Sequence, residues 1–226
     1  MNWLGLDTTT SWFSAAISGG NEILVEHITC LRRSMLKRGD EMIETLFRIA
    51  GLGYDAVSGI AVGTGPGSYT GLRVGMGLAQ GLQLSLGVPL VGVKTSQALA
   101  SQMQGHRRII VAQDAGRRTG HVVLSIYDGT VFPPEEKRPP SIVHPPDAVS
   151  WYTPGDVCVG GAASRYVEML GNHVPSTYVL TGPEYSVPRA SVIARIGRII
   201  YESGWSSEET IPTGVYLTEP PKPQPD

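Results

Sequence analysis

The densest chemical signal in the chain is the run Gly63-Thr64-Gly65-Pro66-Gly67-Ser68-Tyr69-Thr70-Gly71. Its glycines let the backbone take conformations that a Cβ resists. Between a strand and a helix, such a loop offers N–H groups at the helix start to an anion such as phosphate. It lacks the GK[ST] ending of a Walker A loop, and its third glycine falls one residue late for a GxGxxG fingerprint. The alternative is a tight turn that aims the helix, with Gly65, Pro66, Gly67 and Ser68 structural. Asp7-Thr8-Thr9-Thr10 offers a carboxylate and hydroxyls that suit a nucleotide phosphate or magnesium. A polar β-turn favours the same residue types. Asp114-Ala115-Gly116 echoes this turn, and Gly160-Gly161-Ala162 opens a helix as a third ligand turn. The order of the three, Asp turn, second Asp turn and Gly-Gly turn, carries more than any one of them.

Other chemistries are thinly represented. The five histidines, His27, His106, His121, His144 and His173, include no two within five positions, so HxxxH and HExxH zinc sites are absent. A Ser/His/Asp triad assembles in space and is not excluded by spacing, but no GxSxG elbow is present. Arg107-Arg108 and Arg117-Arg118 flank one predicted strand. They are either a solvated surface or a contact for an RNA backbone.

Positioning such residues needs regular elements. Asn2–Leu6, Ser11–Ser18 and Glu22–Ile28 read as strands, the last two joined by a Gly19-Gly20-Asn21 hairpin. Ser34–Ala50 reads as a helix with Met35, Met42, Leu46 and Ile49 on one face, widened by Ile43 and Phe47. Val57–Val62 is a strand, Tyr69–Leu86 a helix closed by Gly87, and Leu90–Val93 a strand. Thr95 or Ser96 is expected to cap a third helix running to about Met103. The pattern restarts with strands over Arg108–Ala112, His121–Tyr127 and Asp156–Val159, and helices over Ser164–Leu170 and Ser191–Ser203. The prolines from Phe132 to Pro146 predict an exposed connection. The strand–Asp turn–strand pattern at both Asp7 and Asp114 predicts two similar halves: residues 1–104, residues 105–218, and a Pro-rich tail over 219–226.

The helix Tyr69–Leu86 has an unusual composition. Gly71 and Gly75 are four apart, as are Gly77 and Gly81. Each glycine inside a helix costs about 1 kcal/mol relative to alanine. The compensation expected is close backbone approach to another element, within this chain or on a partner. Leu72, Met76, Ala79 and Leu82 occupy other positions, and with the Met35–Met42–Leu46 face they form an apolar helix pair. Both faces can equally be buried internally.

Composition sets the outer bounds. The chain has 226 residues, 41% hydrophobic and 17% charged, as expected of a globular protein able to bury a core. A net charge of −2 argues against a binder of nucleic acid over its whole surface. Two cysteines, Cys30 and Cys158, predict a reducing compartment. The first seven residues lack a basic region, and no apolar run approaches the roughly 20 residues that span a bilayer. The expected location is the cytoplasm, with no membrane contact.

Several of these stretches together resemble one family closely. They are Asp7-Thr8-Thr9-Thr10, Gly65 through Gly75, and Ala79-Gln80-Gly81-Leu82 followed by Pro89 and Gly92-Val93. The chain is similar through about residue 104 to the bacterial TsaB (YeaZ) family of tRNA threonylcarbamoyladenosine biosynthesis proteins. The likeness is thinner afterwards, at Asp114-Ala115, Gly120 to Val123, Gly160-Gly161-Ala162 and Val215-Tyr216-Leu217. It implies an α/β, actin-like ATPase (sugar kinase/Hsp70/actin) fold, with two related halves of mixed sheet and flanking helices. It implies a non-catalytic partner of TsaD, which transfers threonylcarbamoyl to N6 of the adenosine beside the anticodon of ANN-reading tRNAs. TsaE joins that complex, TsaC or its relative supplies the adenylate donor, and tRNA is reached through the complex. The TsaD contact, or a homodimer when TsaD is absent, then falls on Met35, Met42, Leu46, Leu72, Gly75, Met76 and Ala79. A vestigial nucleotide site falls on Asp7, Thr8, Thr9, Asp114, Gly160 and Gly161. No cofactor is implied to be tightly held, with ATP or ADP at the interface of the complex.

Three places depart from the family pattern. Ser34 through Asp40 holds no histidine, so metal-dependent transfer is not expected. Thr218 stands where arginine is usual, and Gly116-Arg117-Arg118-Thr119 is a looser insert. The competing expectations are an actin-like nucleotide hydrolase or glycoprotease-type peptidase, and an RNA-binding module using the four arginines.

Overall fold

Among the described residues, ten strands divide into two sheets that repeat one topology. The computed structural model describes residues 1–30, 39–114, 121–164, 167, 179–180, 182–204 and 214. In the first sheet, β1 (Asn2–Asp7), β2 (Trp12–Gly19) and β3 (Glu22–Cys30) form an antiparallel meander. Strands β4 (Val57–Gly63) and β5 (Leu90–Val93) then add in parallel on the far side of β1, giving the order β3-β2-β1-β4-β5. The second sheet contains β6 (Ile109–Asp114), β7 (Val122–Asp128), β8 (Glu135–Val143), β9 (Val157–Val159) and β10 (Val179–Leu180). Its order, β10-β9-β6-β7-β8, is the first sheet's order read backwards. Antiparallel and parallel pairings fall at the same places. The two related halves expected from the repeated Asp turns are therefore present.

The helices follow from glycine punctuation and apolar spacing. Helix α1 (Gly39–Ala50) ends at Gly51, whose φ of 66° only glycine takes readily. Helix α2 (Tyr69–Leu86) has the predicted bounds. Ser68 caps it by accepting from the Gly71 N–H, and Gly87 closes it at φ 67°. Helix α3 (Thr95–Ala100) continues as a 3₁₀ turn over Ser101–Met103. Helix α4 (Ala190–Glu202) comes from the C-terminal part of the sequence but packs on β1, β2, β4 and β5 of the first sheet. There Trp3, Ala61, Val91 and Val93 meet Ile193, Ala194 and Ile196. Glu26 on β3 clasps this helix, accepting from the Arg189 guanidinium and from the Ser191 N–H and hydroxyl. The opposite face of the sheet is covered by α1 and α2 around Leu4, Leu6, Phe13, Ile60 and Phe47.

Four expectations need correction. Ile49 is 65% exposed, and the inward face of α1 is Gly39, Ile43, Leu46 and Phe47, because the helix presents the rows set by Ile43 rather than by Met42. Neither Thr95 nor Ser96 caps α3. Lys94 occupies the cap position without a side-chain capping bond. The proline-rich stretch is largely exposed, as expected, but is regular structure rather than a connection. Residues Glu135–Val143 form edge strand β8, and Pro145–Trp151 a 3₁₀ segment. Pro139 and Pro140 fit an edge because half of that strand's N–H groups have no neighbour to bond. The two-residue strand β10 has no counterpart among the expected elements. The helix start over 34–38, most of 164–170, the 116–119 insert, Val215 to Thr218 and the 219–226 tail lie outside the described residues.

A polar seam joins the halves. Ser96 and the buried Tyr127 share a 2.8 Å hydrogen bond, and Tyr127 donates to Glu136, which pairs with Lys94 at 2.8 Å. Burial pushes the Tyr127 hydroxyl pKa well up, so it stays protonated and donates. Among the described residues no helix is long and apolar enough to cross a membrane.

Gly5 tests the seating of α4. A Cβ there would overlap the Ala190 carbonyl. Gly5→Ala is expected to lower the unfolding free energy by about 1–3 kcal/mol. A urea midpoint equal to wild type would show that the helix does not rest directly on β1.

Candidate functional site

The Asp7 turn and the glycine run, which in sequence look like two separate ligand sites, are each other's partner. Asp7 ends β1 with 0% exposure. Its Oδ1 accepts from the Thr9 N–H and hydroxyl, both at 2.9 Å, and its Oδ2 accepts from the Thr95 hydroxyl at 2.8 Å. Burial raises its pKa from 3.8 to about 6, opposed by the hydrogen bonds from Thr9 and Thr95. Around this carboxylate sit Gly63, Gly67, Gly71 and Gly75, four residues apart. A Cβ on each would strike, in turn, the Asp7 carboxylate, the Thr9 carbonyl, the Thr8 carbonyl and the Thr8 hydroxyl. Thr8 donates to the Gly71 carbonyl at 2.6 Å, and the Ser68 N–H donates to the Thr9 carbonyl at 2.6 Å.

This arrangement consumes much of the chemistry that the loop advertised. The Thr64 N–H donates to Val93, the Gly65 N–H to the Thr95 hydroxyl, and the Gly71 N–H to Ser68. Four of the loop's backbone donors, those of Thr64, Gly65, Ser68 and Gly71, are committed inside the chain. Gly65, Pro66, Gly67 and Ser68 thus form the turn that aims α2 onto β1. The Pro66 carbonyl accepts from Gln113 Nε2 at 2.8 Å, tying the loop to the second half beside Asp114. Asp114 itself is exposed at the end of β6. The Gly160 turn repeats the device: a Cβ on Gly160 would strike the Ala112 carbonyl, while Gly161 is exposed. Thr95, expected only as a helix cap, and Gln113 gain their roles here from the fold, because a lone Thr or Gln shows its role only when a distant strand end is brought to it.

The helix-pair residues divide sharply. Leu46, Leu72, Gly75 and Ala79 are buried by the chain's own first sheet and the Asp7 turn, so they are not a surface for a partner. Met42 and Met76 are half-buried at its rim, and Met35 lies outside the described residues. The open side of α2 is the other glycine pair. A Cβ on Gly77 or Gly81 would meet nothing within 4 Å, and Leu84 beyond them is 79% exposed. The first glycine pair serves internal contact, and the second leaves an external face. His121 and His144, distant in sequence, stack edge to face with centroids 4.1 Å apart. Among the described residues no group of three or more His, Cys, Asp or Glu is placed to hold a metal.

Comparison with known proteins bears on the same elements. The family described as "TsaD: tRNA N6-adenosine threonylcarbamoyltransferase" matches residues 30–130. The chain is 31% identical over 153 residues to the Escherichia coli tRNA threonylcarbamoyladenosine biosynthesis protein TsaB, covering 64% of this chain and 65% of that one. It is 36% identical over 116 residues to the Haemophilus influenzae TsaB, covering 50% and 48%. These matches span about half to two thirds of the relatives' length. The structure of YeaZ from Pseudomonas aeruginosa superposes with TM-score 0.77 at 26% identity, over 96% of this chain and 99% of that one. A second Pseudomonas aeruginosa structure, of an uncharacterized protein with similarity to peptidase YEAZ, gives 0.79 at 25% over the same shares. An ROK hexokinase from Thermus thermophilus, at TM-score 0.50 and 13% identity over 89% of this chain and 100% of that one, shares the fold alone. The fold is therefore the actin-like one.

The buried carboxylate makes a pH signature. Its folded pKa of about 6 lies above the ordinary value of 3.8, so its contribution to stability is full below about pH 4 and is lost as pH rises through 6. At about 1.4 kcal/mol per unit, that loss reaches at most about 3 kcal/mol. Asp7→Asn removes the titration. The unfolding free energy of wild type minus variant is expected to fall between about pH 4 and 7. A constant difference would show that Asp7 does not titrate in that window.

Proposed function

Because the chain belongs to the TsaB (YeaZ) family, we propose that it acts in tRNA threonylcarbamoyladenosine biosynthesis as a non-catalytic subunit. Its partner in this reading is a TsaD-type transferase, with a TsaE-type ATPase joining the pair. The observation that carries the reading is the fate of Asp7. The one carboxylate aligned with the glycine loop is fully enclosed and bonded to Thr9 and Thr95. A magnesium nucleotide would have to displace those bonds and the glycine ladder to reach it. The exposed side of α2 is the docking face, since glycines four apart let a second helix approach closely. Without those side chains, backbone-to-backbone contact replaces rotamer ordering, which lowers the entropy cost of association. Homodimerisation through the same face is the outcome when the transferase is absent. Nucleotide, if used, belongs to the assembled complex, and tRNA is engaged through it.

The substitution that separates docking from folding lies on the open side. Gly81→Trp or Leu84→Asp is expected to weaken copurification with a TsaD-type transferase by about tenfold or more. Thermal stability should remain close to wild type, because surface changes usually shift stability by less than about 0.5 kcal/mol. Gly75→Trp would instead collide with Thr8 and unfold the chain. Reconstituting the modification on unmodified tRNA, with and without this chain, completes the test. Steady ATP turnover by the isolated chain, lost in Asp7→Ala, would refute the reading in favour of a hydrolase.

A further inference from the structure

A surface cavity of about 600 Å³ opens at the end of the second sheet away from Asp114. Arg107 and Arg108 immediately precede β6, whereas Asp114 ends it, and a strand of that length spans about 20 Å. The cavity is lined by Arg107, Arg108, Asp128, Lys137, Thr153 and Asp156 among others. We propose that it is a binding site for phosphate groups, independent of the scaffold reading above.

The argument is an excess of hydrogen-bond donors. Both carboxylates in the lining already accept from the chain. Asp128 accepts from the Thr130 N–H at 2.9 Å and its hydroxyl at 2.6 Å. Those bonds, with the nearby charges of Lys137 and Arg107, hold its pKa below the usual carboxylate value. Asp156, with its side chain 3% exposed, accepts from the Thr153 N–H, the Thr153 hydroxyl and Arg108. Arg108 also donates to the Trp151 carbonyl and the Thr153 hydroxyl, so it serves as a fixed positive wall. The exchangeable donors are the other two cations. Arg107 is exposed and makes no hydrogen bond or ion pair among the described residues. Lys137 pairs with Glu135 at 2.7 Å, but the two side chains are 46% and 61% exposed. Such an exposed pair contributes little and yields to a better acceptor. A guanidinium and an ammonium held beside carboxylates that are already bonded, Asp128 through Oδ1 and Asp156 through both oxygens, select a ligand rich in anionic oxygens, which is what a phosphate ester offers.

The shared chemistry has two sources, a free phosphate compound or the backbone of an RNA, and one experiment separates them. Binding of pyrophosphate by calorimetry, and of a short fluorescein-labelled single-stranded RNA by anisotropy, are measured for the full chain. The Arg107→Ala/Lys137→Ala variant is compared with an Arg48→Ala/Arg73→Ala control, which removes two exposed arginines elsewhere. The first variant is expected to bind about tenfold or more weakly, while the control keeps wild-type affinity. Loss of RNA binding, with the slope of log K against log salt flattened by about 1.4, assigns the site to a nucleic-acid backbone. Loss for pyrophosphate alone assigns it to a free phosphate compound. Undiminished binding of both probes, equal losses in variant and control, or no binding of either probe by wild type would overturn the proposal. Circular dichroism checks that both variants remain folded.

Discussion

The enclosed carboxylate of Asp7 and the ladder of glycines pressed against its turn are the constraint on which the first half depends. An ionisable group at zero exposure is costly unless every lone pair is met. Here the donors come from its own turn, through Thr9, and from the start of α3, through Thr95. Bringing Thr95 there requires β5 to lie beside β4, and bringing α2 close enough to shield the turn requires Gly63, Gly67, Gly71 and Gly75 to lack side chains. One buried charge therefore fixes the spacing of β1, β4, α2 and α3 together. The same residues that resemble a phosphate loop are used to close a core.

That economy shows how an actin-like fold can keep its strand-end turns while their polar groups are used within the chain. The strand-end turns remain as architecture, with their hydrogen bonds turned inward. In the second half the Gly160 turn beds against the Ala112 carbonyl in the same way, and Ala162 donates to that carbonyl at 3.1 Å. What is left for the outside is the far side of α2, where glycines persist without any internal neighbour to demand them. Two glycine pairs on one helix thus answer to different constraints: the first to a threonine turn 63 residues away, the second to a surface.

The sheet edges show a related division. On β8, Pro139 and Pro140 have no N–H to offer a further strand, and Glu136 on the same strand is drawn into the seam with Lys94 and Tyr127. On β3, Glu26 is turned to α4, so the clasp spans 163 residues of sequence between hairpin and C-terminal helix. Both contacts tie an outer strand to the body of the molecule with charged groups rather than with apolar burial.

Local rules were enough to place most elements, because their signals are carried by neighbours in sequence. The bounds of α2 follow from Ser68 and Gly87, the hairpin from Gly20 and Asn21, and the two halves from the repeated Asp turn. The family resemblance was legible in the same short-range patterns. The direction each glycine faces was not, since it depends on which strand end lies across from it. Nor were the role of Thr95, the burial of Leu46 and Ala79, the strand formed by prolines, or the meeting of His121 with His144. Spacing along a chain sets which side chains share a face. Only packing sets what that face touches, because a helix carries no record of the strand that will cover it.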